Sequence, residues 1–165
     1  MSTVTSGVYP VFDIDFKIGT KGLQSTDDDM AVVKDMDTFT FKISGKSDSW
    51  TPMDTRGWTR EIMTGKSFSI TLKGKRNVGD PGNDYVAATA WKDGLDCSTK
   101  AEVDFPDGST LKFNAAIDVT NPGGDDSTKV APLEFDLKSD GKPDYIPSSN
   151  IAVTGISLNK TTDSI

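Results

Sequence analysis

The chain has 165 residues, a formal net charge of −7 and a 35% hydrophobic content, enough for one domain with a thin core. Such acidity argues against tight binding of nucleic acid through phosphate contacts, which needs clustered Lys and Arg. The lack of histidine removes the commonest general base and most zinc or iron sites, and the single cysteine, Cys97, excludes an internal disulfide framework.

No apolar stretch is long enough to span a membrane as a helix. The N-terminus, MSTVTSGVYPVFDID, lacks a basic region followed by an apolar run. We therefore expect no signal peptide, and a protein made and kept in a cytoplasm or released by lysis. Residues 8–18 set Phe12, Ile14, Phe16 and Ile18 against Asp13, Asp15 and Lys17, the period of a half-buried first strand. Residues 19–29 form a polar connection ending in Asp27, Asp28 and Asp29, which reads as a solvated loop rather than a metal site.

Residues 38–43 alternate again, with Phe39, Phe41 and Ile43 expected inward. Residues 44–57 contain Gly45, Pro52 and Gly57 and read as irregular. Trp50 and Met53 in this loop have two readings: they fold back onto the chain's own core, or they contact another subunit, where Trp and Met are enriched. Two strands, residues 58–63 and 66–73, are expected around Thr64 and Gly65, the second placing Phe68, Ile70 and Leu72 on one face.

A basic turn with Lys73, Lys75 and Arg76 follows; it lacks the glycine spacing of a phosphate-binding loop. Asp80 and Pro81 start a short helix, Asp80 as cap and Pro81 where a missing N–H does no harm. The helix offers Val86, Ala87, Ala90 and Trp91 on one side and ends near Gly94. Cys97 is expected to be small and buried at the start of the next strand.

Thr99, Ala101, Val103 and Phe105 alternate up to the turn Pro106, Asp107, Gly108, Ser109, and Leu111, Phe113, Ala115, Ile117 and Val119 alternate away from it. This is the clearest hairpin in the chain. Asn121 to Asp126 is a loop, and Leu133, Phe135 and Leu137 make a last strand. Asp136, Asp140, Gly141 and Asp144 echo a calcium loop, but Lys138 and Pro147 replace ligands, leaving a turn. The expectation is about seven strands and one helix, mainly β, in a two-layer antiparallel sandwich or barrel. No catalytic, cofactor or metal site is expected, and the chain does not read as an enzyme.

The run GKRNVGDPGNDY at residues 74–85, joining a strand to the only helix, resembles the middle of the tail tube proteins of long-tailed bacteriophages. The resemblance covers residues 9–147. It implies a structural virion protein that assembles in the host bacterial cytoplasm. Six copies close head to tail into a ring, the inner sheets join into one barrel, and rings stack into a tube. Its partners would be further copies of itself, the tape measure, terminator and distal tail proteins, and DNA as a passing cargo in an acidic channel.

In that setting Trp50, Met53, Trp58, Lys75 and Arg76 are candidates for contacts between subunits. Lys112, Asn114, Asp118, Glu134 and Asp136 lie opposite the core faces of their strands and are candidates for the channel wall. The inner tube of a contractile tail or tail-derived injection device is an alternative within the class. The terminal run IAVTGISLNKTTDSI, residues 151–165, is similar to the first strand of bacterial immunoglobulin-like domains. It is read either as the start of such a domain or as an arm that pairs with a neighbour, giving a tube domain at 1–147 and an arm at 148–165. A monomeric immunoglobulin-like adhesion or carbohydrate-binding module is the reading from a different class.

Overall fold

The structure, a computed structural model, describes residues 4–148; the terminal run at 151–165 lies outside them. Alternation and turn chemistry meet most clearly in β5 (Ser98–Asp104) and β6 (Thr110–Asn121). Thr99, Ala101, Val103, Phe113, Ala115 and Ile117 are buried, and Thr99 stands opposite Ala115, Ala101 opposite Phe113. Their turn is closed by the Gly108 N–H donating to the Phe105 carbonyl (3.0 Å) and the Ser109 N–H to the Asp107 carboxylate (2.8 Å). β7 (Pro132–Ser139) adds Leu133, Phe135 and Leu137 to the same core.

Eight strands form one continuous antiparallel sheet rather than the expected seven. β1 (Asp15–Gly19), β2 (Met30–Val32), β3 (Met36–Trp50), β4 (Arg60–Lys75) and β8 (Asp144–Ile146) complete it. The order is β2-β1-β5-β6-β7-β4-β3, with β8 paired to β6 beyond the end of β7. The sheet curls on itself. Phe16 of β1 and Phe39 of β3, near opposite ends of that order, meet edge to face with ring centres 4.6 Å apart. A single apolar core therefore fills the space between the two halves of one sheet, which is how the predicted sandwich or barrel is realised.

Six expectations are corrected. The first strand is only Asp15–Gly19; residues 11–13 make a 3-10 turn, and Phe12 and Val8 are exposed. Residues 44–50, expected to be irregular, continue β3, and the two strands around Thr64 are one, β4. Phe41 and Ile43 follow the inward period of β3 but lie beyond the end of the core and are exposed. Trp91 lies past the end of the helix and is exposed, while Cys97 ends a 3-10 turn and is half-buried.

The helix α1 (Pro81–Thr89) begins as predicted, with the Asp80 carboxylate accepting from the Asn83 N–H at 3.1 Å. It packs against β1, β2 and β6, burying Val86 and Ala87. Gly82 sits on the β2 backbone, where an added Cβ would stand 2.6 Å from the Val32 carbonyl oxygen. Gly82→Ala should improve helix propensity, yet the clash is with backbone and cannot be relieved by a rotamer. A thermal melt should therefore show a loss of about 1–3 kcal/mol; an unchanged or raised Tm would contradict this packing.

The loop before β2 is held by the Asp29 carboxylate, which accepts from the Thr26 N–H (3.0 Å) and pairs with the Lys21 ammonium (2.7 Å). Lys21 first, then the Thr26 amide, lower the Asp29 pKa from 3.8 to about 2. A folded-state value below the unfolded one stabilises above the unfolded pKa and loses that contribution as pH falls through the folded one. An NMR titration of Asp29 should therefore centre near 2, and Lys21→Gln should move it upward; a midpoint unaffected by Lys21→Gln would remove the ion pair as the cause.

Candidate functional site

The GKRNVGDPGNDY run is a clasp. Asn83 is fully buried, and its amide nitrogen donates to the carbonyls of Lys34 (3.2 Å) and Lys75 (2.9 Å). Its oxygen accepts from Arg76 Nη1 (2.9 Å) and from the Asn77 N–H (3.0 Å). Asp80 also takes the Lys34 N–H at 3.2 Å. The helix start thus ties the end of β4 to residues 33–35, where the chain crosses from β2, one edge of the sheet, to β3, the other edge. Arg76 pairs with Asp84 at 2.7 Å and holds that carboxyl below its ordinary range. Lys75 lies 3.5 Å from Asp37. Both basic candidates are thus engaged within their own chain.

The other contact candidates lie far from this clasp. β7 pairs with β4 only as far as Ser69, so among the described residues 44–50 and 60–67 pair only with each other. They form an arm that projects about 20 Å beyond the body, at ~3.3 Å per residue. At its tip Trp50 stands opposite Arg60, whose guanidinium lies 5.5 Å from the Trp50 ring centre. A 3-10 turn, Met53–Thr55, leads to Arg56 and Gly57, both with positive φ. The Thr55 hydroxyl bonds the carbonyls of Pro52 (2.8 Å) and Trp58 (2.7 Å). This closed loop displays Met53 and Trp58 at 101% and 80% exposure. Trp50, Met53 and Trp58 are therefore brought together, and all three point away from the core.

At the base of the arm lies a groove that sequence reasoning missed, an open cavity of about 870 Å³. Its floor is made by the stacked rings of Phe41, Phe68 and Phe105, with Leu111 and Tyr145 beside them. The available signal was the apolar period of β3 running on past its last core contact.

The five wall candidates share one face. Lys112 stands opposite Glu102, Asn114 opposite Lys100, Asp118 opposite Asp136, and Glu134 opposite both Asn121 and Lys73. Residues directly opposite in a ladder point the same way. Below the arm, this polar face carries Lys17, Lys42, Lys73, Lys75, Lys100, Lys112 and Lys138, matched one for one by Asp15, Glu102, Asp104, Asp118, Glu134, Asp136 and Asp144. Many of them pair: Lys17 with Asp104, Lys112 with Glu102 (3.7 Å), and Lys138 with Asp118 (2.6 Å). Burial, followed by the neighbouring Asp104, pushes the Glu102 carboxyl above its ordinary range. The strand face is thus balanced, and the excess negative charge sits in loops, on Asp27, Asp28, Asp93, Asp96, Asp125 and Asp126. The fold thus segregates the charge between strand face and loops instead of spreading it evenly.

No family model matches the chain, and no curated protein matches it by sequence. Among solved structures it is similar to a chain of the tail of an empty gene transfer agent particle with C6 symmetry. The TM-score is 0.65 at 16% identity, over 84% of this chain and 99% of that one. The chain has the tail tube fold. Other chains with this fold belong to the sheath-tube complex of an extracellular contractile injection system and to the tube-terminating cap of the anti-feeding prophage. The first matches at TM-score 0.54 and 13% identity, over 85% of this chain and 92% of that one. The second matches at 0.56 and 12%, over 90% and 100%. The tail tube fold thus accounts for the curled sheet, its lone helix and the length of chain that forms them.

Proposed function

We propose that this protein is the structural subunit of a tail tube, closing into hexameric rings that stack into a channel for DNA. The observation that carries the reading is the fold, shared over most of the chain with a particle tail of C6 symmetry. The projecting arm supports it: an exposed, internally braced loop of Trp and Met suits contact with another copy. β3 supports it too, being an edge strand of fifteen residues with β4 as its single partner among the described residues; an edge of that length calls for a neighbour. The role is structural rather than catalytic, the location is a virion tail assembled in the host cytoplasm, and the tube domain extends to residue 147.

In this reading the polar face of β5, β6, β7 and β4 lines the channel. Its lysines are matched in number by carboxylates, and Lys17, Lys112 and Lys138 are held in ion pairs, so passing phosphates meet a wall with no net positive charge. Negative-stain microscopy of purified protein is the direct test: six-fold rings or tubes are expected, and dispersed monomers at high concentration would overturn the reading. Assembled tubes should leave double-stranded DNA unshifted at low salt. The double variant Asp118→Lys, Asp136→Lys should retain DNA in a salt-sensitive way. Retention by the wild type would contradict the proposed wall.

A contractile inner tube is the second reading, favoured by the likeness to the injection-system chains; co-purification with a sheath protein would select it.

A further inference from the structure

We infer that the apolar groove at the base of the arm is the receptor for the arm tip of another copy. The assignment rests on the proposed tube and names the surface that its arm engages. The groove is lined by Phe41, Ile43, Phe68, Phe105, Leu111 and Tyr145, several of them exposed. Contiguous exposed rings of this kind mark an interaction surface rather than incidental exposure.

Charge selects the occupant. Among the described residues, the only charged ones lining the groove are Lys66 and Lys142. Both are exposed, and no ion pair engages either of them among the described residues. The tip loop carries one unpaired charge of each sign among the described residues, Asp54 and Arg56, both exposed, and it is Asp54, of the sign opposite to the lysines, that directly follows Met53, whose side chain is fully in solvent. An apolar side chain entering the ring-floored groove would bring Asp54 to the lysine rim. The braced loop presents these groups with little ordering left to be done on binding.

Geometry makes the contact self-propagating. Tip and groove lie at opposite ends of one arm, so a copy that receives a tip still presents its own. This is a heterologous contact between two different patches of the same chain: arms set parallel extend it from copy to copy, whereas arms set antiparallel would close it as a reciprocal dimer and give no ladder in the test below. It accounts for stacking, whereas the free edge of β3 is left for contacts around the ring.

The test uses the full chain with Cys97→Ser, into which Met53→Cys and Tyr145→Cys are introduced together. Mild oxidation of assembled protein should give a covalent ladder of multimers on a denaturing gel. Mixing the two single-cysteine chains should give dimers only. In a parallel arm, Asp54→Lys should abolish tubes, and Lys66→Asp with Lys142→Asp in that same chain should restore them. Unchanged cooperative melting of Asp54→Lys establishes that its loss is one of assembly.

Tubes of the double-cysteine chain that give no ladder, or tubes that form normally with Asp54→Lys, overturn this assignment and leave the tube reading intact. Failure of the wild type to form rings or tubes at all overturns the tube reading itself. A disulfide between Ser157→Cys and Tyr145→Cys in place of the ladder would give the groove to the chain's own terminal segment, which also overturns the assignment.

Discussion

Asn83→Ala is expected to lower the melting temperature by roughly 10 °C. The side chain is fully buried and spends its whole hydrogen-bonding capacity on four groups, from Lys34, Lys75, Arg76 and Asn77. Truncation strands two carbonyls and an N–H in a site lined by backbone, where each unmet group costs about 1–3 kcal/mol. Partial relaxation and solvent entry reduce the sum, leaving a loss of about 2–4 kcal/mol. Asn83→Asp keeps both acceptances and loses both donations, turning an oxygen toward the carbonyls of Lys34 and Lys75, so it should fare no better at neutral pH. A calorimetric Tm for Asn83→Ala within a degree or so of wild type would show that water replaces the side chain and that the clasp contributes little.

The second large effect is on assembly. Replacing residues 45–66 by a two-residue Asn-Gly turn joins Ser44 to Ser67, which already stand opposite each other in the ladder. The removed residues contribute nothing to the apolar core. The shortened protein should stay soluble, with a Tm close to that of the full chain, and form no tubes under the microscope. Loss of cooperative melting would assign the arm to the fold rather than to contacts. Tubes of normal length would remove it from the assembly altogether.

These expectations show where the sequence was legible. β5, β6 and β7 are each buried on one face, so the alternation of Ala101, Val103, Phe113, Ala115 and Phe135 is a direct imprint of the core. The Asp80–Pro81 start was legible because capping is local. The arm was legible only in part: residues 60–63 and 66–67 were expected as strand, but their continuity through Thr64 and the strand at 44–50 were not, because the arm is solvated on both sides and nothing imposes a period on it. Residues 8–14 show the converse: their alternation suggests a strand, but no neighbouring strand pairs with them. β2 and β8 are three residues each, too short for any pattern. Asn83 reads as an ordinary helix residue until the fold brings Lys34 and Lys75 to it. The wall candidates were correctly grouped on one face by parity, yet their charge balance depends on cross-strand register, which parity does not supply.

One residue of the arm has a consequence for the shape of a whole assembly. Lys46 stands opposite Gly65 and Ser47 opposite Met63, so Thr64 is an extra residue in β4, held by its hydroxyl donating to the Lys46 carbonyl at 3.1 Å. A bulge of this kind adds twist and bends the strand that carries it. Deleting Thr64 would leave every flanking pair in place and keep the tip residues unchanged, altering only the direction in which the arm sets out. In a stack built through such arms, that deletion should preserve the subunit contacts while changing the rotation between successive rings, measurable as a new helical pitch by image reconstruction. An unchanged pitch would show that the rings, and not the arm, fix the screw.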